Sequence, residues 1–304
     1  MDAMTLAELV ERYRDLRNLS EKSMTLYAML LARLERHLGH TPTVADLDDL
    51  TISRYLRARA TQTWRGKPVS MASVQKDKVM LQAVWNLAAR KRWVQEFPEL
   101  PRLKVPKRLP VGRAYTSDDV GKLVRRAKTR KGTTGGQPSA WWWSTLIWTA
   151  YLTAERKSAL LALRWAQVDL DRLTVTFLGA TRKGRTRDIS RQITPELARM
   201  LAVRKGPPEA LVWAWDRHSQ SLYTSLKVLC RLAGVQYRGF HGLRRTAASY
   251  AALAGGRAAA TQLLDHADPN LQEVYVDPEI CPVERVNLDA LPKLDLDGPG
   301  KPAA

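Results

Sequence analysis

Five short stretches of this 304-residue chain carry side chains able to act on an anion. The densest reads Phe240-His241-Gly242-Leu243-Arg244-Arg245-Thr246; Leu263-Leu264-Asp265-His266 follows, and then Tyr275. On a helix His241 and Arg244 are three residues apart, share one face and can act together. The nine positions from His266 to Tyr275 include Pro269, so the tyrosine is expected on a separate short helix beyond a turn. Upstream, Arg156 falls at a helix start and Lys183 at a hairpin tip. Guanidiniums offer forked donors that match the nonbridging oxygens of a phosphodiester, which gain charge in the transition state. A phenol with a pKa near 10 is only about a thousandth ionised at pH 7, so it needs nearby cations and a proton acceptor before it can attack.

Singly, these residues have ordinary readings. Arg156 suits a surface ion pair, Tyr275 suits half-buried packing, and His266 suits a cap. Lys183 among Arg182, Arg185 and Arg187 suits a patch that binds a phosphate backbone. Their joint order and spacing point to a site. His37, His40 and His218 match nothing in that pattern and read as structural or solvated.

The elements that must hold such a site divide into two domains, which the length and a 45% hydrophobic share can support. A net charge of +19 favours a polyanionic partner, nucleic acid first. No apolar run of about 18 residues and no signal-like start is present, so the chain reads as soluble and cytosolic without a membrane partner. Cys230 and Cys281 form no metal or disulfide pattern. Residues 1–97 read as four helices. Thr5 precedes Leu6, Leu9, Val10, Tyr13 and Leu16; Ser20 precedes Leu26, Leu30, Leu34 and Leu38; a third helix lies near Ile52, Tyr55 and Leu56; and Ser70 and Ser73 precede Val74, Leu81, Val84 and Leu87.

Residues 98–113 hold Pro98, Pro101, Pro106 and Pro110 and read as a linker. Its Arg102, Lys104, Lys107, Arg108 and Arg113, without an acidic residue after Glu99, suit contact with a phosphate backbone. A second domain, 114–280, opens with the helix start Thr116-Ser117-Asp118-Asp119, and the Gly/Thr-rich stretch 132–138 reads as a loop. A helix from Trp141 to Leu152 buries its tryptophans as core. The alternation of Leu173, Val175 and Phe177 marks a strand of a hairpin that turns near Lys183 and returns through Thr186 to Ile189. Helices follow near 195–203, 219–233, 241–253 and 257–264. The fold is therefore mainly α with a small antiparallel β-sheet.

This set resembles the tyrosine recombinase, or phage integrase, family. Thr153-Ala154-Glu155-Arg156 leading into Leu160, Leu163 and Trp165 is similar to the family's arginine element. Lys183 matches the hairpin lysine, His241 and Arg244 the His-x-x-Arg pair, Leu264-Asp265-His266 the Leu-Gly-His element, and Tyr275 the nucleophile. The resemblance covers the chain from about Thr116 and, more weakly, the helical half. It implies a SAM-like core-DNA-binding domain joined to an α+β catalytic domain. The implied activity is site-specific cleavage and rejoining of DNA through a 3′-phosphotyrosyl link, without metal, ATP or cofactor. Arg156 and Arg244 would clamp the phosphate, His241 would take or relay the phenolic proton, Lys183 would protonate the leaving oxygen, and His266 would bond the phosphate or the tyrosine. Arg182, Arg185, Arg187 and Arg245 join the linker residues as expected DNA contacts.

The resemblance also implies double-stranded recombination sites as partners, a homotetramer across two duplexes, and accessory bending or directionality factors. It fits a prokaryotic or phage-encoded cytoplasmic protein acting at the nucleoid, with no room for an N-terminal arm-binding domain. The segment 281–304 carries Val283, Val286, Leu288 and Leu291 at helical spacing and would dock on a neighbouring protomer or fold back. Other readings are a type IB topoisomerase-like enzyme and a non-catalytic DNA-binding accessory protein. Four departures concern positioning: Ala154 and Asp265 replace glycines, Glu155 replaces a hydrophobic residue beside the clamp, and Ala159 replaces an acidic one.

Overall fold

The computed structural model describes residues 4–106, 112–182, 187–265 and 275–282. Two compact units divide the chain, Met1–Arg108 and Leu109–Ala304. The first holds four helices, α1 (Leu6–Arg17), α2 (Glu21–Leu38), α3 (Asp49–Thr61) and α4 (Met71–Arg90). Each begins where a side-chain oxygen can take a free backbone N–H. Thr5 and Glu8 form a reciprocal capping box, and Ser20, Asp48 and Ser70 cap the other three.

Leu9, Leu30, Leu34, Ile52, Leu81 and Trp85 form the centre of this unit. Leu16 and Leu26 were expected inside by spacing but are 55% and 37% exposed; on α1 the last buried position is Val10, so Leu16 continues the stripe past the covered part of the helix. Buried Asp77 is neutralised by Arg33 at 2.8 Å and Arg59 at 3.2 Å and accepts the Tyr55 hydroxyl at 3.0 Å, as a charge inside a helical core requires. His37 packs edge-on to Tyr55 and His40 pairs with Asp46, which fits their structural reading.

Between α3 and α4 lies a short exposed hairpin, β1 (Thr63–Trp64) and β2 (Lys67–Pro68), too brief to leave a periodic signal. The start of the proline-rich stretch is fastened to the helices: Lys78 Nζ donates to the carbonyls of Leu100 and Pro101, and Trp85 Nε1 donates to that of Glu96.

In the second unit the Thr116 capping box opens α5 (Ser117–Ala127) as expected. The central helix is α6 (Ser139–Thr153), apolar on nearly every side, with α5, α8 (Pro195–Ala202) and α10 (Gly239–Leu264) packed on it. Trp142 and Trp143 are fully buried, and the indole N–H groups of Trp141 and Trp142 donate to the carbonyls of Met200 and Ala214. These rings are core and offer no base-stacking platform.

The stretch 132–138, expected as a loop, forms a two-residue hairpin of β3 (Thr133–Thr134) and β4 (Gln137–Pro138). After α7 (Lys157–Leu161) come β5 (Val168–Asp169), β6 (Thr174–Phe177) and β7 (Ile189–Gln192), antiparallel in the order β5-β6-β7. Val175 and Phe177 face the core and Thr174 and Thr176 face outward, as the alternation predicted. Helix α9 (Ser219–Leu232) is capped by His218, whose Nδ1 accepts the Gln220 N–H.

Helix α10 breaks at Gly255 and Gly256, where φ reaches 71° at Gly256, so it is two helical segments, matching the expected division. Among the described residues no helix is long and apolar enough to cross a membrane.

Candidate active site

Four of the six expected catalytic residues lie in the described part of the second unit; Lys183 and His266 fall outside the described residues. Arg156 is the N-cap of α7, set one turn away from the end of α6. His241 and Arg244 lie in the first turns of α10, where Gly242 lets the helix approach Tyr115: a Cβ there would meet the Tyr115 ring at 2.7 Å. Tyr115 holds this helix start firmly. Its N–H donates to Thr246 Oγ1 at 2.8 Å, its carbonyl accepts from the same hydroxyl at 2.9 Å, and its own hydroxyl accepts the Arg238 N–H at 3.0 Å.

These elements bring His241 and Arg244 together around Tyr275. Its ring centroid is 5.0 Å from that of His241, and the Arg244 guanidinium carbon lies 5.3 Å from the ring. Ala154, Ala247, Ala248 and Leu264 form the apolar floor under the tyrosine, which is 8% exposed. His241 is exposed to solvent. Arg244 is buried; one arm donates to the Ala154 carbonyl and the other to the Leu264 carbonyl at 2.9 Å. Burial, reinforced by the neighbouring Arg156 charge, pushes Arg244 down to about 10, so it remains cationic at neutral pH. Arg156 Nη1 is buried with no hydrogen-bond partner among the described residues. Two guanidiniums held side by side, one with an unused buried donor, make a site that gains by taking an anion.

The glycine departures now have a backbone meaning. Ala154 ends α6 at φ 53° and Asp265 ends α10 at φ 49°, both left-handed helix ends. Such a conformation costs an L-residue roughly 1–2 kcal/mol, less for a short polar one such as aspartate, which is why glycine is favoured there.

Arg182 requires a correction. Read as a DNA contact within a basic patch, it is fully buried: Nη2 pairs with Glu155 Oε1 and Nη1 with Asp265 Oδ2, both at 2.9 Å. Burial works against its charge, but the two carboxylates outweigh it and raise its pKa. Glu155 is accordingly committed to this bridge. Arg187 remains largely exposed and pairs with the other oxygen of Asp265. Arg113 is exposed and Arg245 half-buried, near enough to each other that burial and the Arg113 charge lower the Arg245 pKa. Arg102 and Lys104 are exposed in the first unit; Lys107, Arg108 and Arg185 lie outside the described residues.

Asp277 was not anticipated. It is 1% exposed, and its carboxylate accepts the N–H groups of Gly112 at 3.1 Å, Arg113 at 2.7 Å and Ala114 at 2.8 Å. Its own N–H donates to Ser249 Oγ on α10 at 2.8 Å. The residue two positions past the tyrosine thus ties that segment to the entrance of the unit and to α10. A single aspartate carries no spacing signal that could have revealed this.

The sequence model described as the phage integrase family matches residues 113–280, more than half of the chain. A protein named "Putative tyrosine recombinase XerC" from Pseudomonas aeruginosa is 26% identical over 214 residues, 65% of this chain and 48% of its own length. The chain therefore spans about half the length of the curated relative it matches. Among solved structures, a lambda integrase dimer bound to a COC′ core site superposes with a TM-score of 0.66 at 16% identity, covering 94% of this chain and 81% of that one. The Tn1549 transposon integrase in complex with a circular intermediate DNA gives 0.65 at 14% identity, covering 90% of this chain and 95% of that one. The XerH recombinase on its palindromic difH substrate gives 0.66 at 14% identity, covering 89% and 80%. At these identities the superpositions establish a shared fold.

Proposed function

The chain belongs to the phage integrase family, and from that premise we propose that it is a site-specific DNA recombinase that cuts and rejoins DNA with Tyr275. The observation that carries this reading is the convergence of His241 and Arg244 on one tyrosine, with Arg156 beside Arg244 and a buried Arg156 donor left for an incoming oxygen.

The step is a transesterification. Arg156 and Arg244 hold the nonbridging oxygens of a phosphodiester and offset the charge that develops on them. The Tyr275 oxygen attacks phosphorus as its proton passes to His241, directly or through water. A tyrosine-oxygen-to-phosphorus bond forms, the bond from phosphorus to the 5′ oxygen breaks, and Lys183 supplies the proton to that oxygen. His266 bonds the phosphate or the tyrosine. A 5′ hydroxyl from a second duplex then reverses the step. The energy of the broken ester is kept in the phosphotyrosyl bond, so the reading needs no nucleotide, and the arginines supply the positive charge that a metal brings to other nucleases.

The remaining parts of the reading follow from the same premise. The first unit is the core-DNA-binding domain, and Arg102, Lys104, Lys107, Arg108, Arg113, Arg185, Arg187 and Arg245 contact the backbone of the recombination site. Four protomers act on two duplexes, with accessory bending or directionality factors, in the cytoplasm of a prokaryotic cell.

A suicide substrate tests this. Nicked duplexes tiled across the DNA flanking the encoding gene should give an SDS-stable protein–DNA adduct with the full chain and none with Tyr275→Phe. Joining of labelled strands from two duplexes should accompany it. Relaxation of supercoils without joining would indicate a topoisomerase-like enzyme, and binding without any adduct an accessory protein.

A further inference from the structure

The bridge built on Arg182 lies directly behind the clamp. Its two carboxylates, Glu155 and Asp265, each follow one of the two carbonyls that grip Arg244, those of Ala154 and Leu264. Glu155 also immediately precedes Arg156 and accepts its backbone N–H at 3.3 Å. Both carbonyls belong to helix ends that leave in the left-handed conformation, a geometry that side chains such as Ala154 and Asp265 do not favour by themselves. The helix ends come from α6 and α10, far apart in sequence.

Resting on the proposed function, we infer that Arg182 is a positioning residue: by locking Glu155 to Asp265 it sets the spacing of the two carbonyls that aim Arg244 and the direction of Arg156 at the phosphate. Three features support a role beyond a structural ion pair. The fork is two-armed, one arm per helix end, and both arms are at 2.9 Å with the Arg182 side chain wholly buried, so it acts as a fixed spacer. Two carboxylates beside a phosphate site would repel the substrate; Arg182, with Arg187 on the second Asp265 oxygen, cancels their charge. Finally, the same hairpin holds the end of α10 at a further point, where Arg191 donates to the Leu263 carbonyl at 2.5 Å. The departures at 155 and 265 are thus one coupled feature whose third member is Arg182.

The test uses the full chain on the nicked duplex that gives an adduct with the wild type, reading single-turnover cleavage rate and DNA affinity separately. Arg182→Met is expected to slow cleavage by about 10²-fold, the scale of a small misplacement of catalytic groups, with affinity within about threefold. Arg182→Lys, a point charge without a fork, should fall between the two. The triple variant Arg182→Met with Glu155→Gln and Asp265→Asn removes the buried carboxylate charges and should recover at least about tenfold over Arg182→Met. Equal losses of rate and affinity, or full recovery of the wild-type rate in the triple variant, which still lacks the spacer, would overturn the role. Should Arg182→Met not fold, Arg182→Lys decides: slower cleavage at unchanged affinity supports the role, and wild-type cleavage overturns it. A wild type that forms no adduct removes the enzymatic reading and this role with it, whereas an active wild type with unaffected Arg182 variants removes this role alone.

Discussion

Arg244→Ala is expected to lower strand cleavage by about 10²–10³-fold, the effect of deleting one preorganised donor to a developing oxyanion, while site affinity changes by less than about threefold. Affinity is insulated because most binding energy on DNA comes from many backbone contacts, of which this is one. The buried position makes a second effect certain to accompany the first. Without the guanidinium, the Ala154 and Leu264 carbonyls lose their donors in an environment closed to water, which costs about 1–3 kcal/mol for each group left unsatisfied. Single-turnover cleavage and melting should therefore be measured on the same sample. A folded Arg244→Ala protein that cleaves at the wild-type rate would show that Tyr275 works without this clamp.

Asp277→Ala should act through the position of the nucleophile. Its carboxylate takes three successive N–H groups at the entrance of the unit, and charge-assisted bonds of this kind contribute about 1.5–3 kcal/mol each where water is excluded. Arg113 is exposed and water can replace part of the loss there, so a net weakening of about 3 kcal/mol is expected for the docked segment. At about 1.4 kcal/mol per tenfold, that lowers the docked population, and with it the cleavage rate, by up to about 10²-fold. Asp277→Asn should recover part of the loss, because its amide oxygen can still accept the Arg113 and Ala114 N–H groups while its NH2 faces the Gly112 donor and the charge is gone. Cleavage rate together with hydrogen exchange at Ala114 and at Tyr275 to Asp277 measures this; unchanged exchange would rule out the tether.

The grouping of His241 and Arg244 with Tyr275 was legible in two ways: a helical spacing of three puts the first two on one face wherever the helix lies, and the family resemblance singles out the tyrosine. Caps at Thr5, Ser20, Ser70 and Thr116 were equally readable, since a free N–H needs an oxygen at one defined position. What stayed hidden depends on distance in sequence. Arg182 has the same local charge pattern as Arg187, yet one is sealed between two carboxylates and the other is largely exposed; only the approach of Glu155 and Asp265, 27 and 83 positions away, separates them. Strands of two residues, such as β3 and β4, are too short to show a period. Leu16 illustrates the converse: periodicity shows which face of a helix is apolar, and the length of its neighbours decides how much of that face is covered.

Covalent joining of Tyr275 to DNA is open to a chemical readout: the adduct formed on the nicked duplex is digested and the DNA-linked peptide sequenced by mass spectrometry. A single peptide is expected, linked through the Tyr275 oxygen to a 3′ phosphate, with a free 5′ hydroxyl on the released strand. Linkage through another residue, or to a 5′ phosphate, would contradict it.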